Sequence, residues 1–248
     1  MAGHSKYKNI MHRKGSQDKK KSKTFSRLGK EISVAVKTGG SDPDKNIRLR
    51  AVISAAKNIN IPQDNIKRAI KKGEGNDPDS NYEEVRYEGY GPSGVAIIVE
   101  AMTNNKNRTA SDIRSIFSKY GGSLGETRSV SYNFRRLGAI TLEKKITEEK
   151  LFEFVIENGS VEFKVTEDEY IIYCESNDLH SLNEKIINKF NSSNTTQLIW
   201  KSDVNTNVEK NEAEKLFKLL NLLEENEDVQ SVSSNFEVSD DIMNQLTV

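Results

Sequence analysis

The chain has 248 residues, with 37 basic against 37 acidic side chains, 35% hydrophobic content and 30% charge; this suits two or three small cores better than one large one. Its single cysteine, Cys174, excludes an internal disulfide framework and a multi-cysteine zinc site and points to a reducing compartment, and no run reaches the ~18 apolar residues of a membrane span. The zero net charge conceals a split: residues 1–75 hold 19 Lys+Arg and 6 Asp+Glu, a net +13, while residues 76–248 hold 18 and 31, a net −13. Such asymmetry makes the front of the chain the part that nucleic acid or an anionic surface would attract.

Ten of the first thirty side chains are Lys or Arg, and Asp18 alone is acidic. Up to Phe25 there is little apolar material, so this stretch cannot bury itself and is expected to be held by a polyanion. The N-terminus is basic but has no apolar run behind it, which argues against a secretory signal. Residues 1–16 lack a sustained period and are expected to be mobile when free. From about residue 17 a helix is predicted. Phe25, Leu28, Ile32, Ala35 and Val36 form its apolar stripe, and Lys20, Lys23, Arg27 and Lys30 share a second face offered to a partner. Gly39-Gly40 ends it.

Asp42, with Pro43 behind it, is the expected cap of a second helix carrying Leu49, Val52, Ile53 and Ala56. Pro62 opens a third helix with Ile66, Ala69 and Ile70 inside, which ends at Lys71-Lys72-Gly73. Residues 1–75 thus form a basic arm and a helical domain. Glu74–Asn81 reads as a linker. Strands follow at Val85–Tyr90 and Val95–Ala101, then a helix through Ala110, Ile113, Ile116, Phe117 and Tyr120, then a strand at Ser129–Phe134. Residues 137–202 hold a complete β-α-β-β-α-β unit, the ferredoxin-like order. The tail offers a helix around Leu216–Leu223 and a strand near Val229–Val238. Neither can make a domain alone, and 82–135 lacks such a pair. The second domain is therefore expected to be discontinuous, 82–135 plus 205–240, with 137–202 inserted in it. The fold class is α+β: a three-helix N-terminal domain and two ferredoxin-like α/β domains.

Few motifs ask for chemistry. Gly89-Tyr90-Gly91-Pro92-Ser93-Gly94 fits Gly-x-Gly-x-x-Gly, but a strand follows where a dinucleotide site needs a helix, so a tight strand-to-strand connection is expected. Cys174 and Trp200 sit in strands and read as packing residues. Asn104–Thr109 precedes a helix; capping is the favoured reading, with polar contact to RNA or protein as the alternative. The acidic runs Glu224–Asp228 and Asp240-Asp241 are read as solubilising, and could also repel nucleic acid from the wrong end. No paired carboxylates, nucleophile or metal cluster stands out, so neither cofactor nor metal is expected. His4 and His12 lack a carboxylate at ligand spacing and suit hydrogen bonding or stacking on nucleic acid; Tyr7 can stack on a base. The expected nucleic-acid-binding set is His4, Lys6, Tyr7, Lys8, His12, Arg13, Lys14, Lys19, Lys20, Lys21, Lys23, Arg27 and Lys30.

The chain resembles the YebC family. The likeness is carried by Met1-Ala2-Gly3-His4-Ser5-Lys6, Asn9-Ile10, His12-Arg13-Lys14, Ile70-Lys71-Lys72-Gly73, Tyr82-Glu83-Glu84, Arg86–Pro92, Asn105, Asn107-Arg108-Thr109, Phe117-Ser118-Lys119 and Gly121-Gly122. Tyr7 stands where the family usually has tryptophan, and keeps the aromatic face. The family includes the mitochondrial translational activator of cytochrome c oxidase and bacterial members labelled transcriptional regulators. The resemblance implies a helical domain plus two α/β domains, cytoplasmic location in bacteria, and no catalysis; the position of the His-Ser-Lys motif directly after the start disfavours a transit peptide. The expected function is nucleic-acid binding in the control of gene expression. By the family label the target is DNA in transcription; the alternative is a ribosome-associated translation factor held to ribosomal RNA by the basic arm, the reading favoured by charge and by the lack of a helix-turn-helix signature. A small-ligand sensor or an enzyme is the remote third reading. No membrane contact is expected, and no oligomeric state follows from the sequence.

Overall fold

The computed structural model describes residues 17–75, 81–192 and 194–247. In chain order the helices and strands are α1 (Gln17–Gly39), α2 (Ile47–Asn58), α3 (Gln63–Glu74), β1 (Glu83–Tyr90), β2 (Ala96–Thr103), α4 (Lys106–Lys119), β3 (Ser123–Leu124), β4 (Phe134–Glu143) and α5 (Glu148–Glu157). They continue as β5 (Ser160–Val165), β6 (Glu169–Glu175), α6 (Leu179–Phe190), β7 (Asn194–Ser202), β8 (Thr206–Asn207), α7 (Lys210–Glu225), β9 (Val229–Ser234), β10 (Phe236–Glu237) and α8 (Asp240–Thr247). The chain divides into two compact units, residues 132–203 and the remainder on either side.

In the larger unit the apolar stripe of α1 makes the first core. Ile32, Ala35 and Val36 pack with Leu49, Val52 and Ala56 of α2 and Ile66 and Ala69 of α3, with Phe25 and Leu28 at the margin. α1 ends where the Gly40 N–H reaches Val36 O at 2.7 Å. The expected cap at Asp42 is corrected. Its carboxylate accepts from the Asp44 N–H at 3.0 Å and its carbonyl from the Asn46 N–H at 2.9 Å, so the chain first makes a turn. Asn46 is the cap, accepting from the Leu49 N–H at 3.0 Å. Its amide also donates to Ala35 O at 2.7 Å and Gly40 O at 2.8 Å, which ties the start of α2 to the end of α1.

The sheet of this unit runs β3-β1-β2-β9, antiparallel throughout. The β1–β2 connection is a 3₁₀ turn at Pro92–Gly94, with Ser93 at φ 58° and Gly94 at φ 72°. The Gly91 N–H closes it onto Val95 O at 2.7 Å, so the glycine motif serves a tight connection. Ile97, Val99 and Ala101 of β2, Ile113 and Phe117 of α4, Leu216, Leu219, Leu220 and Leu223 of α7 and Val229 and Val232 of β9 form the core. The C-terminal strand therefore pairs with β2, in register Val99↔Val232. Three elements have no counterpart in the sequence reading: the short strands β3 and β8, which pair with β1 and, in parallel, with β10, and helix α8, whose Met243 is buried in the same core. The strand expected at Ser129–Phe134 is also corrected. The Glu88 carboxylate accepts the N–H groups of Val130 and Ser131 at 3.0 and 2.9 Å, Arg128 has φ 70°, and a 3₁₀ turn precedes a strand that starts at Phe134.

The smaller unit is ferredoxin-like, β-α-β-β-α-β with strand order β5-β6-β4-β7. Ile140, Leu142, Leu151, Val155, Ile172, Leu182 and Ile186 fill the space between sheet and helices. Cys174 is fully buried there, with its thiol pushed up to about 11 by burial, aided by Asp178 and Glu175. Trp200 is not a core residue as expected: it is half-exposed. It lies opposite Arg136 in the β4–β7 register, whose guanidinium sits 5.0 Å from its ring centroid.

Candidate nucleic-acid interface

Of the thirteen residues expected to bind nucleic acid, His4, Lys6, Tyr7, Lys8, His12, Arg13 and Lys14 lie outside the described residues. Lys19, Lys20 and Lys21 belong to the opening turns of α1. Lys23, Arg27 and Lys30 follow on the same helix, and their surroundings differ from the expectation of a face presented to a partner. They meet the acidic segment that ends α7, in the same compact unit.

Arg27 donates from Nη2 to Glu224 O at 3.1 Å. Lys30 Nζ donates to Glu227 O at 2.9 Å and to Asp228 Oδ1 at 2.8 Å. The other carboxylate oxygen of Asp228 accepts Arg108 Nη2 at 2.8 Å, Thr109 Oγ1 at 2.8 Å and Thr103 Oγ1 at 3.2 Å. Side chains from α1, β2 and α4 thus converge on one buried carboxylate. Burial alone would raise the Asp228 titration, but the hydrogen bonds from Lys30, Arg108 and Thr109 and the Lys30 charge outweigh it and hold the group at about 2. Arg108 is pushed up in turn by its bond to Asp228. Lys23 has no such counter-ion: its Nζ is buried without a hydrogen-bond partner among the described residues. Burial, then the charge of Arg27, lowers it to about 8, against a smaller upward pull from Glu224, Glu225 and Glu227. Arg27 is likewise lowered by burial, with Glu224 opposing.

The segment Glu224–Asp228 is therefore more than a solubilising run. Its last member is the anchor that holds α1 against the sheet, which the sequence hid because the two partners are almost two hundred residues apart. The 104–109 segment does cap: Asn105 Oδ1 accepts the Arg108 N–H at 3.1 Å, and Thr103 Oγ1 accepts the Asn105 N–H at 2.9 Å.

The exposed cations of the helical region lie elsewhere. Lys67, Arg68, Lys71 and Lys72 of α3 all face solvent, as do Lys45, Arg50 and Lys57. Lys30, Arg68 and Lys72 line a groove with Tyr82, between α1 and α3. In the sequence Lys71-Lys72 stands out as a basic helix end; nothing local distinguishes Arg68. Among the described residues no group of three or more His, Cys, Asp and Glu could hold a metal ion, and no helix is long and apolar enough to cross a membrane.

Comparison with known proteins then decides the family. Residues 5–76 match the family description "TACO1/YebC protein N-terminal domain", and residues 82–236 match "TACO1/YebC second and third domain". The chain belongs to the TACO1/YebC family. The crystal structure of a conserved hypothetical protein from Aquifex aeolicus is similar to it, with 43% identity and a TM-score of 0.81 over 88% of this chain and 91% of that one. The family description for the second and third domains carries a transcription-regulator label; that label is regulatory, not enzymatic. The two matched segments also divide the chain where the helices give way to the sheets.

Proposed function

We propose that this TACO1/YebC protein is a non-catalytic, nucleic-acid-binding regulator of gene expression, gripping its target through phosphates with the basic N-terminal part. The observation that carries the reading is the charge split, net +13 over residues 1–75 against −13 over the rest, together with the exposed cations of α3. The expected binding set changes: Lys23, whose Nζ is buried, Arg27 and Lys30 leave the primary contact, and the cations of α3 join it. Lys30 and Arg27 already bond to the acidic segment, so the arm residues His4 to Lys14, the lysines at 19–21 and α3 make the primary contact.

The family's transcription label makes duplex DNA the first target. Charge placement favours a second, structured ribosomal RNA, in keeping with a cytoplasmic translation factor. A reading helix presents its N-terminal residues to base edges, yet the first turn of α3 carries Asp64 and its cations come later, Lys67 to Lys72. That suits contact with phosphates more than readout of bases.

The test is binding of the full-length chain to duplex DNA, structured RNA and whole ribosomes at matched salt. If six to ten phosphates are engaged, affinity falls about 10³- to 10⁵-fold between 50 and 200 mM salt. Replacing the Lys and Arg residues at 6, 8, 13, 14, 19, 20 and 21 by Gln should remove most of that salt dependence. No association with any of the three at 50 mM salt would overturn the reading.

A further inference from the structure

We propose that the groove between α1 and α3 is a phosphodiester-binding subsite, formed by Arg68, Lys72, Lys30, Ser26 and Tyr82. The proposal rests on the nucleic-acid reading above and gives that reading a defined place on the folded part of the chain.

The groove exists because small residues let the two helices close on each other. At Gly73 a Cβ would meet Ser33 O at 2.6 Å and the Val36 Cβ at 2.8 Å. Ser33 Oγ bridges to Ala69 O at 2.9 Å, so the hydroxyl in the floor is satisfied by the facing helix. Above this floor the walls carry three cations and no carboxylate. Lys30 is partly neutralised by Asp228 at 2.8 Å. Among the described residues Arg68 and Lys72 pair with no acidic side chain, so both cationic groups of the α3 wall are available to an anion in the groove.

Tyr82 holds the ammonium groups in place. Lys72 Nζ lies 5.1 Å and Lys30 Nζ 5.4 Å from its ring centroid, within cation–π range. Lys72 also donates to the Tyr82 hydroxyl at 3.1 Å. Two lysines that would otherwise sample many rotamers are thus gathered around one ring, which lowers the entropy lost when an anion arrives. The volume, about 240 Å³, falls below the range of pockets that enclose a whole small ligand and suits one phosphate with part of its sugar, the rest of the strand running outside. The Ser26 hydroxyl and the Arg68 guanidinium supply further donors to phosphate oxygens, the guanidinium as a planar fork.

The experiment compares three full-length proteins: wild type, Arg68→Ala/Lys72→Ala in the groove, and Lys67→Ala/Lys71→Ala on the same helix outside it. Each is titrated with a labelled single-stranded oligoribonucleotide and a duplex DNA of equal length, by fluorescence anisotropy, from 50 to 200 mM KCl. All four substituted side chains are exposed, so the fold is retained; circular dichroism checks it. The groove pair should lower the slope of log K against log salt by about 1.4–1.8, the loss of two phosphate contacts at about 0.7–0.9 each. The control pair should lower it by less than half as much. Tyr82→Leu, which keeps every charge, should move the slope with the groove pair if the ring positions the lysines. The strand type that suffers the larger loss identifies the source of the phosphodiester. Equal slopes for the two double variants, or a groove variant that binds like wild type, overturn the subsite while the wider reading stands. Failure of the wild type to bind either probe overturns both.

Discussion

Replacing Asp228 by asparagine tests the anchor between α1 and the sheet. The carboxyl titrates at about 2 in the folded chain against an ordinary 3.8. Discounted for the half-exposed Arg108, this difference is worth about 2 kcal/mol. Because the folded value is the lower one, the stabilisation is whole above about pH 4 and is lost as the pH falls toward 2. At neutral pH the substitution removes more than the titration does. The Lys30 side chain, only 12% exposed, keeps its charge and loses its counter-ion, and breaking a buried pair from one side costs about 3 kcal/mol. That is a large share of the ~5–15 kcal/mol that holds a domain together. Amide hydrogen exchange is the suitable assay, since the single tryptophan, Trp200, belongs to the other compact unit and reports its unfolding instead. The Asp228→Asn protein should lose about 100-fold of protection around Met102, whose N–H bonds to Asp228 O at 2.8 Å, and across α1. It should also lack the wild type's drop in stability between pH 4 and pH 2. A loss of protection under threefold, or an acid profile matching wild type, would refute the anchor.

Two further outcomes follow from packing. Gly73→Ala should destabilise the helical region by about 1–3 kcal/mol despite alanine's better helix propensity, because its Cβ has no room against Ser33 and Val36; a midpoint in urea equal to or above wild type would contradict the close approach. Cys174, buried with a thiol raised to about 11, should resist alkylation at pH 8 in the native chain and react once the chain is unfolded in urea. Stoichiometric labelling of native protein within minutes would show that the strand is not packed as described.

Much of the fold was legible because hydrophobic spacing is a local signal. The stripe Phe25–Val36 set α1, and the element order of 137–202 set the ferredoxin-like unit. What local patterns could not carry was the outcome of competition between distant groups. Asp42 is a fair cap by type, yet Asn46 wins because its amide also reaches Ala35 O and Gly40 O. Ser129–Phe134 looks extended, yet the Glu88 carboxylate captures its backbone N–H groups. Helix α8 is eight residues long, too short for its period to stand out. The same limit applies to the interface. A count of charges marks the basic front, but only the folded chain tells that Lys30 is bonded to Asp228 while, among the described residues, Arg68 and Lys72 have no carboxylate partner.

The pairing of β4 with β7 has a consequence for how the chain is assembled. Phe134 lies opposite Ser202 in that register, so the first and last strands of the 132–203 unit run side by side and its two ends emerge about 5 Å apart. Once this unit has folded, about seventy residues of flexible tether shrink to a gap that a few residues could bridge. On chain-closure arithmetic this shortens the loop closed when β9 joins β2 from about 125 to about 55 residues and spares about 0.7 kcal/mol of entropy. A nested domain of this kind behaves as a clasp: it can be excised, or exchanged for another with adjacent termini, without lengthening the path its host must close.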